Sequence, residues 1–204
     1  MFRIIKNIIN TVIILLAIFG LISLNRAGVF GDLGDKLTFF SSNREKIENE
    51  VGDFSNVDEE FNIKTAVKVM GYKTVVAKHP TSGQKMIIVD SGKKALLTER
   101  DICEDGLKDK LEDLCSRFKY HSNTVESIEI IDKGYMTAYG QRVPYVKFCA
   151  KLSKFPHTKI CGVVSVVDSD KNNQKLIVSV NDKKHYSQLI TSEFYKSVGE
   201  SRVK

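Results

Sequence analysis

The sequence predicts an α+β protein with an N-terminal transmembrane helix. An antiparallel sheet, made of a hairpin plus a four-strand meander, is expected to follow and to pack against two or three helices. Three observations predict this. Ile8 to Leu24 is an apolar run without a charge. Between Ser127 and Asn181, four β-branched or alternating stretches succeed one another with hairpin-length gaps. Before and after them, apolar residues recur at helical spacing.

The apolar run follows a short basic head with Arg3 and Lys6 and is succeeded at once by Asn25 and Arg26. At the rise of an α-helix it covers roughly 25 Å, close to one hydrocarbon core. It is apolar all round except for Asn10 and Thr11, unlike the one-sided helix of a soluble core. A cleaved signal peptide shares the basic head and apolar middle. However, Leu24 and Asn25 occupy the places where a cleavage site needs small residues, and no cysteine follows for lipoprotein processing. The expectation is an uncleaved anchor, residues 1–26, embedded in membrane lipid through residues 8–24. A very short leader before a long domain is the layout of a signal-anchor with its N-terminus in the cytoplasm and its domain extracytoplasmic, in the inner or plasma membrane.

Residues 27–56 read as a juxtamembrane spacer loosened by Gly28, Gly31 and Gly34. Within it, Ser42-Asn43-Arg44-Glu45 has capping-box spacing, which predicts a short helix from Asn43 to Val51 stopped by Gly52. The extracytoplasmic domain is expected over 57–204. Asp58 is placed to cap a helix bearing Ile63, Ala66, Val67 and Met70 on one side, ended by Gly71. Tyr72 to Lys78 and Lys85 to Asp90 read as a hairpin around His79-Pro80-Thr81-Ser82-Gly83-Gln84, with a short third strand at Ala95 to Leu97. Leu107, Leu111, Leu114 and Phe118 form one stripe, predicting a helix from Glu104 to Lys119. The meander strands are Ser127 to Thr137, Gln141 to Leu152, Thr158 to Asp168 and Lys175 to Asn181. A last helix, roughly Lys184 to Val198, turns Tyr186, Leu189, Ile190, Phe194 and Val198 to the core. In the second meander strand, Val146, Phe148, Ala150 and Leu152 point one way, while Lys147, Cys149 and Lys151 point the other.

The order from Tyr72 to Val198, about two thirds of the chain, resembles the PsbP-like fold: a β-hairpin before a helix, an antiparallel meander, then a final helix. Gln141-Arg142-Val143-Pro144-Tyr145-Val146-Lys147-Phe148 is similar to the opening of that family's central hairpin, and Tyr186 to Val198 to its last helix. The resemblance implies an extracytoplasmic or lumenal binding or assembly factor without catalytic machinery. It carries no site residues over to this chain.

Four cysteines occur, at 103, 115, 149 and 161, with no C-x-x-C for a zinc knuckle or a thioredoxin-type motif. A hairpin turn centred near Phe155 would bring Cys149 opposite Cys161, within reach of a disulfide in an oxidising compartment. The alternative is two free thiols under a covering helix. Cys103, near the expected start of the 104–119 helix, is where a thiolate would be favoured, and Cys115 beside the Leu111/Phe118 stripe suits a core. His79, His121, His157 and His185 fall in predicted turns or near element ends, where such side chains are usually solvated. No nucleophile elbow, P-loop, zincin or dinucleotide fingerprint is present.

The formal charge of +6 overstates basicity. Apart from Arg3, Lys6 and Arg26, 28 basic residues stand against 25 acidic ones, scattered along the chain, which speaks against a nucleic-acid partner. Lys147, Lys151, Lys154 and Lys159, with Tyr145, form the candidate contact surface for a protein partner in the envelope, although a half-buried sheet has such a solvent face ordinarily. The chain therefore reads as a membrane-tethered, non-catalytic interaction or assembly module, with no catalytic, metal or cofactor residue assigned. The competing reading is a thiol-dependent enzyme or redox factor using Cys103.

Overall fold

The computed structural model describes residues 44–69, 72–91, 97–104, 106–109, 125–152, 155–169 and 173–201. The apolar run, the start of the spacer, the expected strand at 95–97 except Leu97, Cys115, and most of the 104–119 helix lie outside them. Among the described residues, no helix is long and apolar enough to cross a membrane.

Helix α1 (Arg44–Val51) opens the described chain. Strands β1 (Asn62–Val69), β2 (Tyr72–Lys78) and β3 (Lys85–Asp90) follow, then helix α2 (Glu99–Cys103). Strands β4 (Val125–Ala138), β5 (Gln141–Leu152), β6 (Phe155–Ser169) and β7 (Asn173–Asp182) lead to helix α3 (Gln188–Ser197). The strands make one antiparallel sheet of seven in the order β1-β2-β3-β7-β6-β5-β4. Hairpin and meander are thus a single layer, joined where β3 pairs with β7.

That junction explains the sequence of β3, in which all six residues are buried. The run Met86-Ile87-Ile88-Val89 is apolar without interruption because both faces of this central strand are covered. Ile87 and Val89 join Tyr72, Val76, Phe148, Val164 and Val178 beneath Ile102 of α2 and Leu107. Met86 and Ile88 join Val75, Ala77 and Ile177 beneath Ile47 and Val51 of α1 and Phe194 and Tyr195 of α3. The α+β class is therefore realised as helices on the two faces of one sheet.

Several sequence expectations change. The helix expected after Asp58 is strand β1. A bulge between Ile63 and Thr65 inserts a residue at Lys64. Ile63 and Ala66, three apart, consequently face the same side, and this imitates helical spacing. Helix α1 belongs to the folded domain, not to a spacer, since Ile47 and Val51 are buried in the core. Around residue 104, a helix is already complete. Thr98 caps α2, with its side chain accepting from the Asp101 N–H while the Asp101 side chain accepts from the Thr98 N–H, and Glu104 is the C-cap. Residues 107–109 are again helical. Finally, α3 starts at Gln188 with Ser187 as N-cap, and Lys183, Lys184 and His185 form a turn before it. Its buried face is Thr191, Phe194 and Tyr195, so Leu189, expected in the core, is 68% exposed.

Candidate functional site

The outer strands β4, β5 and β6 bear the candidate residues on the face shared with α1 and α3. Their register puts Cys149 opposite Cys161, and a disulfide joins them across 12 positions of sequence. Both cysteines are buried. Around them the strands display charge. Lys151 Nζ lies 2.9 Å from Glu126 of β4, and Lys159 Nζ lies 3.5 Å from Glu129. Glu129 itself pairs in register with Cys149. The candidate contact surface is thus of mixed charge, in which acids of the edge strand answer the lysines of β5 and β6. Both pairs are partly exposed, so each contributes at most about 1 kcal/mol. The Lys154 side chain lies outside the described residues.

Toward α3 the same face becomes aromatic. Lys147 Nζ sits over the Tyr186 ring, 5.7 Å from its centroid. Tyr145, nearly buried, donates its hydroxyl to Asp132 Oδ2 at 3.0 Å. Gly134, its partner in register, has no side chain because a Cβ there would lie 2.9 Å from the Tyr145 hydroxyl oxygen. Burial raises the Tyr145 phenol above its ordinary value and pushes Tyr186 up to about 12. Both are neutral donors at physiological pH. Tyr145 thus packs and hydrogen-bonds within the sheet edge, while Lys147 and Tyr186 form a cation–π contact at its border.

Between this face and the turns, a buried amide positions α3. Gln84 Nε2 lies 2.9 Å from each of Ser179 Oγ, Ser187 O and Thr191 Oγ1, which share its two hydrogens. Its Oε1 accepts from the Ser187 N–H at 2.8 Å. Thr191 Oγ1 donates to Ser179 Oγ at 2.8 Å. Nothing in the alternating pattern of β3 marks this glutamine, which read as a turn residue.

Cys103 is exposed and is the last residue of α2, four residues before the helical stretch 107–109. Lys133 Nζ caps the end of α2, 3.4 Å from Cys103 O and 3.1 Å from Glu104 O. His79 is buried rather than solvated. Its Nδ1 is 3.0 Å from Ser82 Oγ and also accepts the Ser82 N–H at 3.2 Å, and its Nε2 is 3.3 Å from Glu60 Oε2. Ser82 belongs to the same turn, and its own N–H occupies the imidazole lone pair, so this chain of contacts locks the β2–β3 turn. Among the described residues, no group of three or more His, Cys, Asp or Glu side chains is arranged to hold a metal ion.

A scan against protein-family models finds no match for this chain, and a search of curated proteins finds none either.

Proposed function

We propose that this chain is a single-pass, membrane-anchored, non-catalytic interaction or assembly module of the cell envelope. Its N-terminus is cytoplasmic and its domain extracytoplasmic. The observation that carries this reading is the pairing of two features: a charge-free apolar run at Ile8 to Leu24, and a cross-strand disulfide between Cys149 and Cys161 in the domain that follows. Disulfides persist in oxidising compartments, and the apolar run matches a hydrocarbon core in length. The resemblance of the Tyr72 to Val198 element order to the PsbP-like family agrees with an extracytoplasmic assembly factor.

The contact surface is the outer β4–β5–β6 face around the disulfide, where Lys147, Lys151 and Lys159 alternate with Glu126 and Glu129. A surface of alternating sign selects a partner by charge register more than by apolar area. Alkaline washing of membranes and external proteolysis of sealed cells test the reading together. The full chain is expected to stay in the pellet and to lose its domain to protease added outside. Release by alkali, or protection of the domain in intact cells, would overturn it.

A further inference from the structure

The charge of the outer strands changes where β7 leaves the sheet. Lys151 and Lys159 pair in register, and Lys159 O accepts the Lys183 N–H at 2.8 Å. Lysines therefore follow one another across β5, β6 and the turn after β7, at about the spacing of neighbouring strands. On the β4 side of this row, Glu126 and Glu129 answer Lys151 and Lys159. The β7 side is different. Lys183, Lys184 and His185 are exposed, and among the described residues no ion pair holds Lys183 or Lys184. Asn181 to Ser187 carries one acid, Asp182, against two lysines and a histidine.

This turn is braced. Asn181 Nδ2 donates to Ser82 O and to His185 O, both at 2.9 Å, and Asn181 Oδ1 accepts the Asp182 N–H at 2.9 Å. The His185 N–H reaches Asp182 O at 2.9 Å, and the Ser187 N–H is held by Gln84 Oε1 at 2.8 Å. The β2–β3 turn and the start of α3 thus fix it from two sides. The next residue, Tyr186, carries Lys147 of β5 over its ring. A loop held in this way loses little conformational freedom when a partner seats on it, which strengthens binding for a given set of contacts.

We propose, on the interaction-module reading above, that the 183–185 turn is the basic lobe of the contact surface and seats an acidic segment of the partner protein. Its carboxylates lie against Lys183 and Lys184, and its end reaches Lys159. Charge complementarity selects a protein segment over a lipid surface. An anionic bilayer laid on this end of the sheet would also meet Glu126 and Glu129. On the other side of the same end it would meet Asp58, Glu59 and Glu60, all exposed beside His79. A peptide matches charges one at a time, so it places carboxylates on the turn and leaves the glutamates of β4 to their lysines. The unanswered lysines also set its course, along the β7 side of the surface and away from β4.

Amide spectra of the full chain in phosphatidylcholine nanodiscs, titrated with a synthetic peptide of alternating Glu and Thr, provide the test. The expected result is saturable shifts at Lys159 and from Lys183 to Tyr186, while Lys64 and Lys68 of β1, also exposed, stay unmoved. The same peptide with Gln in place of Glu should shift neither set. Binding should weaken about tenfold when Lys183→Gln and Lys184→Gln are combined, and by less than about twofold when Lys64→Gln and Lys68→Gln are. Similar shifts at every exposed lysine, or larger shifts at the turn on adding phosphatidylglycerol to the discs than on adding the peptide, would overturn the proposal. The two readings fail separately. A chain that stays out of the discs contradicts the anchor, and a chain that enters them without the turn shifting contradicts the basic lobe.

Discussion

Gly162 shows how much a single position can decide. It faces Val180 in register on β7 and Phe148 on β5. A Cβ there would come within 2.2 Å of Ser179 O and 2.8 Å of Val180 Cγ1. The first is backbone, so the strand cannot yield without losing its ladder. Gly162→Ala is expected to cost roughly 3 kcal/mol or more, or to prevent folding, read as a lowered denaturation midpoint. Lys85 offers a test through pH. Burial, helped by the charge of Lys78, lowers its ammonium from 10.5 to about 8. The unfolded chain therefore binds more protons between those values, and stability should rise with pH from about 8 toward 10.5, by at most on the order of 3 kcal/mol. Tyr186 works in the opposite direction. Its phenol is raised from 10.0 to about 12, so the folded state holds the proton longer and stability falls between those values. The pair predicts a stability maximum near pH 10, and Lys85→Met should flatten its acid side. Denaturant titrations at a series of pH values would show a monotonic decline from pH 8 if this account of Lys85 is wrong.

At the scale of the element, α3 separates what packs from what only alternates. Phe194 is 1% exposed and rests against Phe61 and Tyr195, with ring centroids 5.2 Å away in both cases. Phe194→Ala should cost about 3–5 kcal/mol. Leu189, one turn earlier and on the outer side, should tolerate Leu189→Lys within about 0.5 kcal/mol. Thermal melts of the two variants check the contrast; similar losses would mean that the helix presents a different face. The difference was hidden in the sequence because Ser187, the cap that sets where the helix begins, sits between two apolar residues of the presumed stripe. Strand β1 was hidden for a related reason. Its bulge at Lys64 converts a period of two into a step of three, and a step of three is what a helix shows. The meander strands were legible almost to their ends, despite two irregularities in β4, between Val125 and Ser127 and between Ile130 and Asp132, because turns rich in Gly, Asn and Asp set them apart. Helix α2 had a legible signal, Thr98 and Asp101 at capping-box spacing, that the stronger leucine stripe beyond it overshadowed.

At the scale of the molecule, the expected antiparallel sheet of hairpin plus meander gains β1 as a seventh strand and is covered on both faces. The sequence of β3 contained that information in its unbroken apolar run, but a short run of that kind does not say which strand will pair with it. The chemistry was less legible than the fold. Opposition of Cys149 and Cys161 followed from counting residues about one turn. The Gln84 network did not, because Gln84, Ser179, Ser187 and Thr191 are far apart in sequence and meet only through topology. The disulfide closes a short loop and is expected to stabilise the domain by about 3 kcal/mol. Under the proposed function it should persist, because the domain would face an oxidising compartment. The most direct test of the account is the redox state of this pair in cells, read together with where the chain fractionates. In full-length protein carrying Cys103→Ser and Cys115→Ser, acid-quenched in cells and recovered from the membrane fraction, a polymer-tagged maleimide should add nothing before reduction and two tags after it. Two tags before reduction, or recovery of the chain in the wash without detergent, would contradict an anchored domain on the oxidising side of the membrane.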